Sequence, residues 1–242
     1  MGRIGTIVKQ KGKMDAKRAK IFTKIGRYIM VAAREGGGDP DYNAALKAAI
    51  DKAKAANMPK DNIERAIKKG TGDSDGVVFT ELTYEGYGPG GIAVLVECLT
   101  DNTNRIAANV RSYFSKGNGN LGTTGCVSFM FDHKGVLVID RDEDNAVDEE
   151  ELEMLVIEAG GEDFVVEDTH FEIITAIEDF GTVRDALAEE GHEFSMAELR
   201  YLPQTMTELT EPGDIKSMQK LVDLLEEDDD VQNVYHNWME TE

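Results

Sequence analysis

Six cations, Lys13, Lys17, Lys20, Lys24, Arg27 and Arg34, recur at intervals of three, four or seven residues. At the pitch of an α-helix they fall within an arc of roughly 100°, opposite Ile21, Ile25, Tyr28, Ile29 and Ala32. Ammonium and guanidinium groups held in a row are suited to neutralise a row of phosphates. Arg3, Lys9 and Lys11 extend the charge upstream into an arm of a kind that orders on nucleic acid, and Lys68-Lys69 repeat the sign further on. The residues nominated for nucleic-acid contact are therefore Arg3, Lys9, Lys11, Lys13, Lys17, Arg18, Lys20, Lys24, Arg27, Lys68 and Lys69. A smaller island, Arg105, Arg111 and Lys116, is nominated as a secondary phosphate or partner contact. There is no zinc-finger spacing, no basic region running into heptads and no aromatic RNA-recognition signature. The pattern thus predicts affinity for a phosphate backbone without base readout.

Other chemistry finds little support. His133, His170, His192 and His236 are scattered, and none stands in a nucleophile–base arrangement, so no catalytic residue is nominated and no enzyme activity is expected. Cys98 and Cys126 make neither a disulfide framework nor a zinc spacing. Gly88-Pro89-Gly90-Gly91 lacks the Lys-Ser/Thr ending of a phosphate loop and reads as a hairpin turn. The acidic run Glu226–Asp230 lacks the alternating ligands and glycine of a calcium loop, and reads as a helix end entering a solvated turn. Trp238 reads as a packing anchor. No metal and no cofactor are expected.

Charge is split along the chain. The 242 residues carry a net −21, yet residues 1–70 hold 17 Lys/Arg against seven Asp/Glu, a local +10. The remaining residues therefore carry −31. Such asymmetry indicates a polyanion-binding part joined to an acidic part that solubilises or meets protein partners. Hydrophobic content of 41% excludes wholesale disorder, and no apolar run approaches the ~20 residues of a membrane span. The basic N-terminus has no apolar core of a secretory signal, so a soluble intracellular protein is expected.

The elements that must position these cations follow from periodicity. A helix is expected from Met14 to about Arg34, stopped by Gly36-Gly37-Gly38. A second is expected to start at Asp39-Pro40 and run to about Ala56; a third carries Ile63, Ala66 and Ile67 to Gly70. Then the period becomes strand-like: Val77–Tyr84 and Ile92–Leu99 read as a hairpin, followed by a helix after Asp101-Asn102 and a strand at Val127–Phe131. From Gly135 the order strand, helix, strand, strand, helix, strand is the βαββαβ signature of a ferredoxin-like domain. Helix Asp214–Leu225 and strand Val231–Tyr235 remain. The expected fold class is α+β multidomain: an N-terminal three-helix bundle plus two α/β sandwich domains, one ferredoxin-like and inserted in the other. The expected divisions are 1–76, then 77–133 with 202–242, with 134–201 inserted.

Long segments carry a resemblance: residues 16–24 (AKRAKIFTK), 49–70 (AIDKAKAANMPKDNIERAIKKG), 84–91 (YEGYGPGG), 97–102 (ECLTDN) and 119–122 (GNLG). In these the chain resembles the YebC/PmpR family of transcriptional regulatory proteins, whose mitochondrial members are described as translational activators of a cytochrome oxidase subunit. The resemblance spans essentially the whole chain. It implies three domains with the third inserted in the second, a cytoplasmic location and no enzymatic role. It supplies no base-reading residue set. Where family members begin with a His-Ser-Lys-Trp-Ala-Asn-Ile-Lys-like stretch, this chain has Arg3-Ile4-Gly5-Thr6-Ile7-Val8-Lys9. The two expected partners are DNA, for a non-enzymatic regulator of transcription, or RNA on the ribosome, for a translation factor.

Overall fold

The structure is a computed structural model and describes residues 18–72, 78–141 and 147–240. These fall into two compact units. One comprises Phe131–Leu202; the other holds the remaining described residues.

Three helices open the larger unit. Helix α1 (Arg18–Gly36) buries Ile25, Ile29 and Ala33, spaced by four, against α2 (Ala44–Ala55) and α3 (Lys60–Thr71). Leu46, Ala53, Met58, Ile63 and Ala66 complete this core. The expected start of α2 at Asp39-Pro40 is corrected. Asp39 instead closes a turn, its carbonyl accepting from Tyr42 N at 3.2 Å and its Oδ1 from Asp41 N at 3.0 Å. Asn43 is the cap. Its Oδ1 accepts from Leu46 N while its Nδ2 donates to Ala32 O and Gly37 O, so one buried amide starts α2 and secures the end of α1. Gly37 takes φ +86°, the left-handed conformation that ends a helix.

The chain then forms an antiparallel hairpin, β1 (Thr80–Tyr87) with β2 (Ala93–Thr100), in register from Thr80↔Thr100 to Tyr87↔Ala93. Gly88–Gly91 makes the connecting turn, Gly88 N donating to Ile92 O at 2.7 Å and Gly90 adopting φ +64°. After α4 (Thr103–Lys116) come β3 (Asn120–Leu121) and, late in sequence, α7 (Pro212–Glu227) and β9 (Val231–His236). The sheet order is β3-β1-β2-β9, with a bulge at Glu97/Cys98 where β2 meets β9. Val94, Val96, Val231 and Val234 of the sheet pack with Phe114 of α4, Leu221 and Leu225 of α7, and Trp238, the expected anchor. Trp238 lies on β10 (Trp238–Met239), which pairs in parallel with β8 (Thr207–Glu208).

The strand expected over Val127–Phe131 does not form before Phe131. The buried Glu85 carboxylate accepts from the backbone of Gly125, Val127 and Ser128 at 2.7–2.8 Å, taking amides that a strand would have used. Burial alone would raise the Glu85 pKa, but these amide donors outweigh it and hold it below the ordinary carboxylate value. A short 3₁₀ turn, Ser128–Met130, follows, and the strand begins later, at Phe131.

The smaller unit contains β4 (Phe131–Asp140), α5 (Glu149–Ala159), β5 (Asp163–Val166), β6 (His170–Thr175), α6 (Phe180–Glu189) and β7 (Met196–Pro203), whose last residue passes into the larger unit. Its sheet order, β5-β6-β4-β7, is that of the ferredoxin-like fold, as expected. Leu137, Ile139, Phe171 and Ile173 of the sheet pack against Leu152 and Val156 of α5 and Val183 and Leu187 of α6.

The close approach of α1 and α3 is testable. A Cβ built on Gly70 would collide with Met30 O and lie 2.8 Å from Ala33 Cβ. Gly70→Ala is expected to cost about 1–3 kcal/mol in urea unfolding. Gly213→Ala, with nothing within 4 Å of the added methyl, should have a far smaller effect.

Candidate nucleic-acid interface

Three cations of the basic stripe, Lys20, Lys24 and Arg27, are engaged within the protein. Lys20 Nζ donates to Glu227 O and Lys24 Nζ to Glu226 O, each at 3.1 Å. These carbonyls end α7, which has no cation of its own in its last turn. A helix C-terminus carries partial negative charge and unpaired carbonyls, so α1 supplies what α7 lacks. Arg27 goes deeper: its Nη1 lies 2.6 Å from Asp230 Oδ1, 2.7 Å from Asp229 O and 3.1 Å from Leu99 O. Its guanidinium also stands 5.7 Å from the centre of the Phe79 ring.

Asp230 is the hub of this arrangement. Its side chain is 4% exposed and accepts from Arg27, from Thr100 Oγ1 at 2.9 Å, and from Arg105 Nε and Nη2 at 3.1 and 2.6 Å. Burial pushes its pKa up, but the hydrogen bonds from Arg105, Arg27 and Thr100 prevail and hold it below the usual carboxylate range. Thus the acidic run read as a solvated turn is the receptor for Lys20, Lys24 and Arg27. Neighbouring Asp228 accepts from Asn109 Nδ2 and Tyr113 Oη, both at 2.9 Å. Burial and that carboxylate push the Tyr113 hydroxyl up to about 12.

The secondary island divides as well. Arg105 is committed to Asp230 and Asp101. Arg111 is exposed, and Lys116 is exposed in the last turn of α4, where a cation also complements the helix dipole. Of the other nominated residues, Arg3, Lys9, Lys11, Lys13 and Lys17 lie outside the described residues, and Arg18 begins α1.

Lys68 and Lys69 remain on the outer face of α3, both exposed. Arg65, which the sequence reading did not single out, is exposed one turn earlier; the three share an arc of about 100° opposite buried Ile63, Ala66 and Gly70. The signal for Arg65 was its i, i+3 and i, i+4 spacing to that pair.

The described residues contain no cluster of three or more His, Cys, Asp or Glu placed to hold a metal ion. His133 stacks on Tyr201 and His170 pairs with Glu172 at 2.9 Å. Burial, with the charges of Asp228 and Asp230, pushes the Cys98 thiol up to about 12, which leaves no thiolate nucleophile there at neutral pH.

Fold and site together describe a basic helical bundle joined to an α/β domain, with a ferredoxin-like domain as a separate compact unit. Comparison with known proteins agrees. Residues 3–73 match the TACO1/YebC protein N-terminal domain, and residues 79–238 match the TACO1/YebC second and third domain. The chain belongs to the TACO1/YebC family. It is 61% identical over 238 residues to a probable transcriptional regulatory protein of Clostridioides difficile (strain 630), covering 98% of this chain and 99% of that one. A probable transcriptional regulatory protein of Geobacillus kaustophilus (strain HTA426) is 58% identical over 231 residues, covering 96% and 93%. The crystal structure of the conserved hypothetical protein Aq1575 from Aquifex aeolicus aligns with a TM-score of 0.84 at 43% identity, covering 96% of this chain and 94% of that one.

Asp230→Asn keeps the shape of the hub and removes its charge. At neutral pH this should cost about 1.5–3 kcal/mol in urea unfolding of the full chain. A carboxylate with a lowered folded pKa contributes stability above its unfolded value, near 3.9, and loses it as pH falls through the folded value. The gap between wild type and variant should therefore narrow steadily below about pH 4. A gap of constant size down to about pH 2 would contradict this role.

Proposed function

We propose that this chain is a non-enzymatic regulator of transcription that binds DNA phosphates through its helical domain in the cytoplasm. One observation carries the reading: residues 1–70 hold +10 in a chain of net −21, and Arg65, Lys68 and Lys69 present that sign outward on α3. Lys20, Lys24 and Arg27 serve instead to fix the helical domain to the α7–β9 turn. The arm cations Arg3, Lys9 and Lys11, with Lys13, Lys17 and Arg18 at the head of the stripe, belong to the proposed interface, with Arg111 and Lys116 as a secondary contact. The names of the relatives, probable transcriptional regulatory proteins, support the regulatory role. Acidic surface elsewhere repels a polyanion and so favours docking by the helical end. Backbone phosphate contact of this kind positions a protein without reading bases.

The same cations would serve a ribosome-bound translation factor, the reading that the mitochondrial branch of the resemblance favours. Co-sedimentation with a ribosomal subunit that survives DNase treatment is the outcome that would select it over DNA.

Titration of duplex DNA at several salt concentrations tests the interface. Each phosphate contact contributes roughly 0.9 to the slope of log affinity against log salt. Removing Arg65, Lys68 and Lys69 together by alanine should flatten the slope by about 2–3 and weaken binding about tenfold or more. Lys20→Ala with Lys24→Ala should leave the slope unchanged. The reverse pattern would return the interface to α1.

A further inference from the structure

The ferredoxin-like unit carries a surface that neither its own stability nor nucleic-acid binding explains. Met154 and Ile157 on α5 are 62% and 64% exposed. They are three residues apart, so they stand together on the helix, and they face away from Leu152 and Val156, which fill the core. Glu150, Glu153 and Glu158, all exposed, share that outward arc with them. Scattered exposed apolar residues are ordinary; two adjacent ones centred on the solvent face of one helix, with an anionic border, form a small patch.

Helix energetics account for part of this only. Asp148 caps α5 through Glu150 N and Glu151 N, and Glu149–Glu151 in the first turn complement the dipole. Glu158 stands at the opposite end, where negative charge opposes the dipole and the last turn holds no basic residue. Residues 131–202 hold 23 acidic and four basic side chains, a net −19 of the chain total of −21. A polyanion is repelled here, as is an anionic membrane. A second copy of α5 would bring five glutamates against five.

We infer that the outward face of α5 docks a cationic amphipathic helix of a protein partner. Met154 and Ile157 meet its apolar stripe, and Glu150, Glu153 and Glu158 meet its flanking Lys and Arg. Methionine suits such a face because its unbranched side chain adapts to varied partners. This site uses none of the cations of α3.

Fluorescence anisotropy tests it with the full chain and a labelled synthetic helix of about 18 residues, leucines at i, i+3, i+4 and i+7 bordered by lysines. The variant Met154→Glu/Ile157→Glu adds two negative charges, so diffuse attraction to an acidic surface would strengthen binding. Docking on the face predicts the opposite, a loss of at least tenfold, with the urea midpoint lowered only slightly, since both side chains are exposed and the added charges merely meet like charges along α5. Glu150→Gln/Glu153→Gln/Glu158→Gln should weaken binding severalfold at low salt and little at high salt. Unchanged or tighter binding by the glutamate variant overturns the inference. So does concentration-dependent dimerisation of the wild type that Met154→Glu/Ile157→Glu abolishes, since that would give the face to a second copy.

Discussion

One buried carboxylate, Asp230, governs how the larger unit is put together. It lies just beyond α7 at the start of β9, and it receives Arg27 from α1, Thr100 from the end of β2 and Arg105 from α4. Four elements distant in sequence thus share a single charge. A carboxylate this buried is tolerated only when its lone pairs are filled, and here two guanidinium groups and a hydroxyl fill them. The bulge at Glu97/Cys98 lies in β2 near this junction, and Leu99 N donates to Asp230 O at 2.8 Å, so the backbone is held there as firmly as the side chain.

That constraint changes the meaning of the charge asymmetry. Residues 1–70 are basic for two reasons that sequence alone merges. Part of the charge neutralises the carbonyl end of α7 and the Asp230 turn, and part faces outward on α3. The acidic part is likewise divided. Asp228 and Asp230 are structural acceptors, whereas α5 carries glutamates beside exposed apolar side chains. Net charge therefore predicts the sign of a partner but not which cations touch it.

Much of the architecture was legible because local signals agreed. Buried Ile25, Ile29 and Ala33 announce α1 by their spacing, Asn102 caps α4 where expected, and the βαββαβ order of the smaller unit follows from periodicity alone. Misreadings arose where a side chain from elsewhere took over the backbone. Asn43, not Asp39-Pro40, starts α2 because its amide also reaches Ala32 and Gly37. Glu85 converts an apolar, β-branched stretch at Val127 into a turn by capturing three amides from 40 residues away. The α1 stripe is the third case: amphipathic spacing identifies a polar face, but only the fold reveals that Glu226, Glu227 and Asp230 receive Lys24, Lys20 and Arg27 from it.

The division of labour between the two groups of cations is most directly tested by lysine reactivity. Brief reductive methylation of the full chain, read by mass spectrometry with and without duplex DNA, reports each ammonium separately. The account predicts that Lys20 and Lys24 react slowly in both states, whereas Lys68 reacts quickly alone and becomes protected on DNA. Rapid labelling of Lys20 and Lys24 that DNA suppresses, with Lys68 unaffected, would contradict it.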